Sequence, residues 1–398
     1  MSAKLARVRL LAVAVVAALG LAACGGGDEA PAAEPGVEEG QLAAADLRAT
    51  LNTLLAEHVF FAGAAVNEAL QGNDAGFEAA AGALDENSQA LAGAVGLAYG
   101  SDAEEAFLGL WRSHIGMFVD YTQGVAGGDQ ARADAAVADL TGYANDFAVF
   151  LNGANPDLPV ETVEQLVLGH VVSTKDAVDA LAAGDAQGGF ANLRGAMGHM
   201  HMVADPLAGA IAGQFPDRFP GQSDSAAATL QRDLNLVLLE HTYLAGAAVN
   251  EALKGNEAGF QAAAGALEGN SSDFQAAIAG VYGAEAGDAF GGLWRSHIGM
   301  FVDYTQGVAA GDQARQEAAV ADLTGYATDF AVFLNQATGI DQAAAEQLVT
   351  EHVLTLKEAV DTIASGQGNP FVELREAGQH MPMIANPLAA TIAQQQGL

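Results

Sequence analysis

The chain repeats itself, and the repeat decides most of what it can fold into. Leu110–Ala126 (LWRSHIGMFVDYTQGVA) recurs unchanged at Leu293–Ala309, and Ala62–Leu70 (AGAAVNEAL) at Ala245–Leu253, both shifted by 183 residues. Self-similarity on this scale implies a duplicated unit, here roughly 46–215 and 230–398 with a Pro- and Gly-containing linker over 216–229. A finer period lies inside each copy. His58, His114 and His170 are each 56 residues apart, and His241, His297 and His352 follow at 56 and 55. Behind each histidine comes a Gly-Asn, Gly-Asp or Gly-Gln pair (at 72, 128, 184, 255, 311 and 366). Glycine past a helix end takes the left-handed conformation cheaply, and Asn or Asp then caps the next helix. Each period reads as a helix, a tight turn and a return helix. Three such hairpins predict a six-helix bundle, and the two copies predict two bundles.

The helical assignment rests on spacing. Leu47, Leu51, Leu54, His58, Phe61, Ala65 and Ala69 step by three and four, so they share one helix face. Phe107, Leu110, His114, Phe118, Tyr121 and Val125 do the same, as do Val163, Leu166, His170, Thr174, Ala177 and Leu181. No window alternates in the manner of a strand. The expected fold class is all-α.

The N-terminus predicts export. Lys4, Arg7 and Arg9 precede an apolar run from Leu10 to Ala23, shorter than the ~20 residues a spanning helix needs. That is the pattern of a signal peptide, expected over 1–23. The run ends Leu21-Ala22-Ala23-Cys24, which looks like a bacterial lipobox, so Cys24 is the expected site of lipidation and membrane anchoring. Cys24 is also the single cysteine, which excludes an internal disulfide. Residues 24–45 hold Gly, Ala, Pro and Glu and read as an acidic, flexible tether. Formal net charge is −34, which argues against nucleic acid and anionic membrane surfaces as partners.

The chemistry sits in the histidines. Eight of the nine pair between copies: His58/His241, His114/His297, His170/His352 and His199/His380; His201 faces Pro382 instead. The first three of each copy lie on the apolar stripes of successive leading helices. If the hairpins pack about a rough three-fold axis, three imidazoles meet, with His199 or His380 as a fourth ligand. Asn87, Tyr143, Asn270 and Tyr326 occupy the positions equivalent to that fourth histidine and are expected to surround the site. Unpaired polar groups in an apolar interior cost roughly 2–7 kcal/mol each, so such a cluster needs partners. A transition metal supplies them at once; hydrogen bonds among the polar groups are the competing solution. Met117, Met202, Met300 and Met383 each follow a histidine by three residues, on one helix face. Thioethers beside imidazoles favour copper, with zinc next and iron third. Glu-x-x-His spacing, nucleophile elbows, phosphate loops and Cys-x-x-Cys are all missing from the sequence, so no catalytic residue is assigned. A metal-free structural or surface-interaction module, and a His₃ metalloenzyme with an open coordination position, are the rival expectations.

WRSHIGMFVDYT (Trp111–Thr122) and HMHMVADPLAGAI (His199–Ile211) resemble exported bacterial tandem helical-repeat lipoproteins, some of which carry a copper amine oxidase label. The resemblance spans nearly all of the mature chain and implies a connection with copper. It brings no catalytic residue, because the Asn-Tyr-Asp/Glu motif of those oxidases is not in this sequence.

Overall fold

A computed structural model describes residues 43–398; the expected signal peptide, Cys24 and nearly all of the tether lie outside them. The described residues form helices and no strand. In the first copy these are α1 (Ala44–Leu70), α2 (Asp74–Tyr99), α3 (Ser101–Gly127), α4 (Gln130–Ala154), α5 (Val160–Ala182), α6 (Ala186–His199) and α7 (His201–Gln214). The second copy has α8 (Ala226–Leu253), α9 (Glu257–Tyr282), α10 (Ala284–Ala310), α11 (Gln313–Thr338), α12 (Gln342–Ser365) and α13 (Pro370–Gln396). The sixth helix of the first copy is thus divided at Met200, whereas α13 runs on through Pro382 and Pro387.

Turn chemistry follows the expected pattern at five of the six hairpins. Gly72 sits at φ +71° and Gly128 at +66°, conformations that a Cβ would strain. Asn73, Asp129, Asp185, Asn256 and Asp312 each accept a hydrogen bond from the backbone N–H three residues on. The sixth differs: Gln367 does not cap α13. Asn369 does so instead, accepting from Phe371 and Val372, because a shorter Asx side chain fits the N-cap geometry. The connector between copies is also shorter than expected, since α8 begins at Ala226 with Ser225 as its cap.

Within each copy successive helices pack side by side, and the last returns against the first, closing a ring around an apolar core. Leading helices α1, α3 and α5 (and α8, α10, α12) alternate with return helices, so the leading three run parallel and present equivalent faces inward. Among the described residues, α1 alone is long and apolar enough to cross a membrane by length and composition, yet 72% of that window is buried inside the protein. Its apolarity serves core packing.

The copies meet through α1 against α8, with α6 on α9 and α13 on α2. The contact is nearly two-fold. Arg375 of the second copy pairs with Glu57 of the first, and Arg194 of the first pairs with Glu240 of the second at 3.0 Å. Phe60 stacks on Tyr243, its counterpart, at 4.6 Å.

Candidate metal centre

His58, His114 and His170 come from α1, α3 and α5, and their rings converge on the axis of the first bundle. His241, His297 and His352 repeat the arrangement on α8, α10 and α12. In each group the candidate ligand atoms lie within 4.8 Å of one another, and all six residues are buried. Nε2 of His58 and His114 are 3.2 Å apart; those of His241 and His297 are 3.1 Å apart. A metal with N ligands at ~2.0–2.1 Å sets them about 3.3–3.5 Å from each other in tetrahedral or trigonal geometry. The close pairs already meet that spacing, and the third ring needs a shift of about an ångström. Two His triads therefore have the composition and geometry to hold a metal ion.

Their environment keeps the imidazoles neutral. Burial, reinforced by His114 and His170, pushes His58 well below its ordinary range. Burial likewise lowers His114 to about 3 and His170 to about 4. The second copy matches: His297 falls to about 3 and His352 to about 4, and His241 lies well below the usual value. Neutral imidazole is the form that ligates metal. Trp111 packs over His58 at 4.7 Å between ring centroids and Tyr143 over His114 at 4.8 Å; Trp294 and Tyr326 do the same at 4.5 and 4.9 Å. Tyr143 and Tyr326 are among the residues expected to surround the site; the two tryptophans are an addition that histidine spacing does not signal.

Several buried atoms here have no hydrogen-bond partner. In the first copy they are His58 Nδ1, His114 Nδ1, His170 Nε2, Trp111 Nε1 and the Tyr143 hydroxyl. In the second they are His241 Nδ1, His297 Nδ1, His352 Nδ1, Trp294 Nε1 and the Tyr326 hydroxyl. Native interiors seldom leave so many polar atoms unsatisfied at one spot.

The fourth histidines do not join the triads. His199 Nε2 lies 3.2 Å from the Leu166 carbonyl, and His380 Nε2 lies 3.0 Å from that of Leu348. Asn87 and Asn270 make the same kind of contact, donating to the carbonyls of Leu54 and Val237. In each case the acceptor is four residues, or one helical turn, before a triad histidine. The position is a clip between return helix and leading helix, which Asn fills as well as His. The equivalence of Asn87, Tyr143 and His199 along the sequence was the available signal for this. Methionine placement also departs from expectation. Met202 and Met383 are 46% and 47% exposed, and Met117 and Met300 are half-buried against neighbouring helices. Met197, Met200 and Met381 are the buried ones, and Met381 lines the same cavity as the second triad. His201 is exposed.

The two centres differ in one ligand's support. Thr174 Oγ1 lies 3.3 Å from His170 Nδ1, which leaves Nε2 to face the other rings. Leu356 stands in its place in the second copy, and His352 Nδ1 has no partner. No family model, curated protein or solved structure matches the chain.

Proposed function

We propose that the chain is a membrane-anchored, extracytoplasmic lipoprotein that binds or buffers a transition metal, one ion per bundle, with copper favoured over zinc. The observation that carries this reading is the pair of buried His triads, each ringed by polar atoms without partners. An ion at either centre would take a lone pair from each of three rings that are already neutral. His58, His114 and His170 would hold the first; His241, His297 and His352 the second.

Charge supports copper in its monovalent state. The triads bring no carboxylate to the ion, and the cost of burying a charge rises with its square. A monovalent ion thus meets about a quarter of the divalent penalty. Three imidazoles also suit Cu(I) without a fourth donor, which removes the need for His199, His380 or methionine sulfur. Zinc would carry a water or hydroxide as fourth ligand. Placement at the cell envelope rests on the basic leader, its short apolar run and Cys24 at the lipobox position.

Competition with a Cu(I)-specific chromophoric chelator tests the reading. It should report two tight equivalents per chain, with zinc displaced by Cu(I). Equal preference for zinc would remove the copper assignment while leaving the sites. The metal-free structural reading is favoured by one contact in each copy, the hydrogen bonds between His58 and His114 and between His241 and His297. It predicts that no metal shifts the melting temperature.

A further inference from the structure

The second bundle holds a cavity of about 250 Å³ that runs from its His triad toward the end of the bundle formed by Tyr282, Ala286 and Ala337. No Asp, Glu, Lys or Arg lines it, so away from the triad a charged ligand would lose its hydration with nothing to replace it. The walls are aromatic slabs. Phe290 stacks on Trp294 at 5.4 Å, Phe330 stacks on Phe333 at 6.3 Å, and Phe274 stands edge-on to Trp294. An apolar cavity of ~150 Å³ stays dry and admits benzene; this larger one has room for two fused rings. At its inner end lie two buried donors with no partner, Trp294 Nε1–H and the Tyr326 hydroxyl, beside the imidazoles of the triad.

The corresponding end of the first bundle is covered differently. Phe215 packs edge-on to Tyr99, the counterpart of Tyr282, and Phe219 is 2% exposed. Arg218 locks this connector down by donating to the carbonyls of Leu97 and Ala98. The counterpart of Phe215 is Gln396.

We infer that the second bundle is a receptor for an uncharged hydroxylated aromatic of about two fused rings, its hydroxyl set among Trp294, Tyr326 and the triad. The aromatic slabs select a flat apolar body. The orphaned donors and the imidazole lone pairs select a single hydroxyl, which both accepts and donates. A metal at the triad would take the same imidazole lone pairs, so the site is tested on chelator-treated protein, in which they are free.

Calorimetric titration of the full chain with 2-naphthol should show one site, bound about tenfold more tightly than naphthalene, the worth of one buried hydrogen bond. Ala337→Phe fills the chamber and should weaken 2-naphthol at least tenfold with the fold retained by circular dichroism; Ala154→Phe, its first-copy counterpart, should not. Should Ala337→Phe fail to fold, Ile278→Ala widens the chamber and should raise affinity for the three-ring 9-phenanthrol at least fivefold. Absence of saturable 2-naphthol binding overturns the inference. So does equal loss in Ala154→Phe, or an unchanged 9-phenanthrol affinity in Ile278→Ala.

Discussion

The two bundles carry the same three histidines under the same aromatic lids, yet they are built for different degrees of access. In the first, Thr174 braces His170 and the connector's Phe215 and Phe219 pack over the bundle end. In the second, Leu356 replaces the brace and an apolar chamber reaches the triad. Duplication kept the triad histidines, and divergence fell on what surrounds them. The first bundle is suited to holding an ion, and the second to admitting something beside it.

Acid gives the largest expected effect and acts on both bundles. Unfolded histidine takes up a proton near pH 6.5, whereas His114 and His297 in the folded protein do so only at about 3, His170 and His352 only at about 4, and burial holds His58 and His241 well below the ordinary value. Their contribution to stability is therefore intact above pH 6.5 and lost as pH falls below it. Each triad histidine costs about 2 kcal/mol at pH 5, so the apo-protein should unfold near that pH, with up to six protons taken up. Urea midpoints measured from pH 8 to 5 would check this; midpoints independent of pH would mean the rings are hydrated. Metal affinity, by contrast, should stay level between pH 7 and 5 in the folded protein.

Next comes the interface. Glu57 is 2% exposed and its partner Arg375 9%, while Glu240 and Arg194 are more open. Arg375→Ala should cost about 3–5 kcal/mol by stranding a buried carboxylate, and Arg194→Ala no more than about 1 kcal/mol. Chemical denaturation compares them directly, and equal losses would break the asymmetry. A smaller effect separates the two centres. Thr174→Val should weaken metal at the first site about 10- to 100-fold through loss of the ring's orienting partner, and Leu356→Thr should strengthen the second. Competitive metal titration reads both; no change in either removes the brace from the account. Smallest is His199→Gln, which should leave metal stoichiometry at the wild-type value and cost about 1 kcal/mol in stability. Loss of an equivalent would return His199 to the ligand set.

The fold was legible because spacing encodes it: glycine turns and stripes of three and four residues mark each hairpin. The triads were legible for the same reason, since three leading helices in one register bring positions 56 residues apart to one axis. His199 and His380 were misjudged because a sequence shows that a position is polar and inward but not which atom it meets. Here it meets a backbone carbonyl, which leaves no trace in residue type. Met383 shares a helix with His380, and Met202 follows His199 across the break at Met200, but both face solvent, because spacing of three residues does not fix which side is buried. The chamber was hidden altogether. It depends on how Tyr282, Ala286 and Ala337 close one bundle end, and nearly all its lining residues have similar counterparts in the first copy.

Elemental analysis of the purified chain, expressed without added metals and then exposed to Cu(I) and desalted, is the most direct test. The account predicts two ions per chain, falling to one in His114→Ala or His297→Ala and to none in the double variant. A wild-type protein that is fully folded and retains no ion would contradict it.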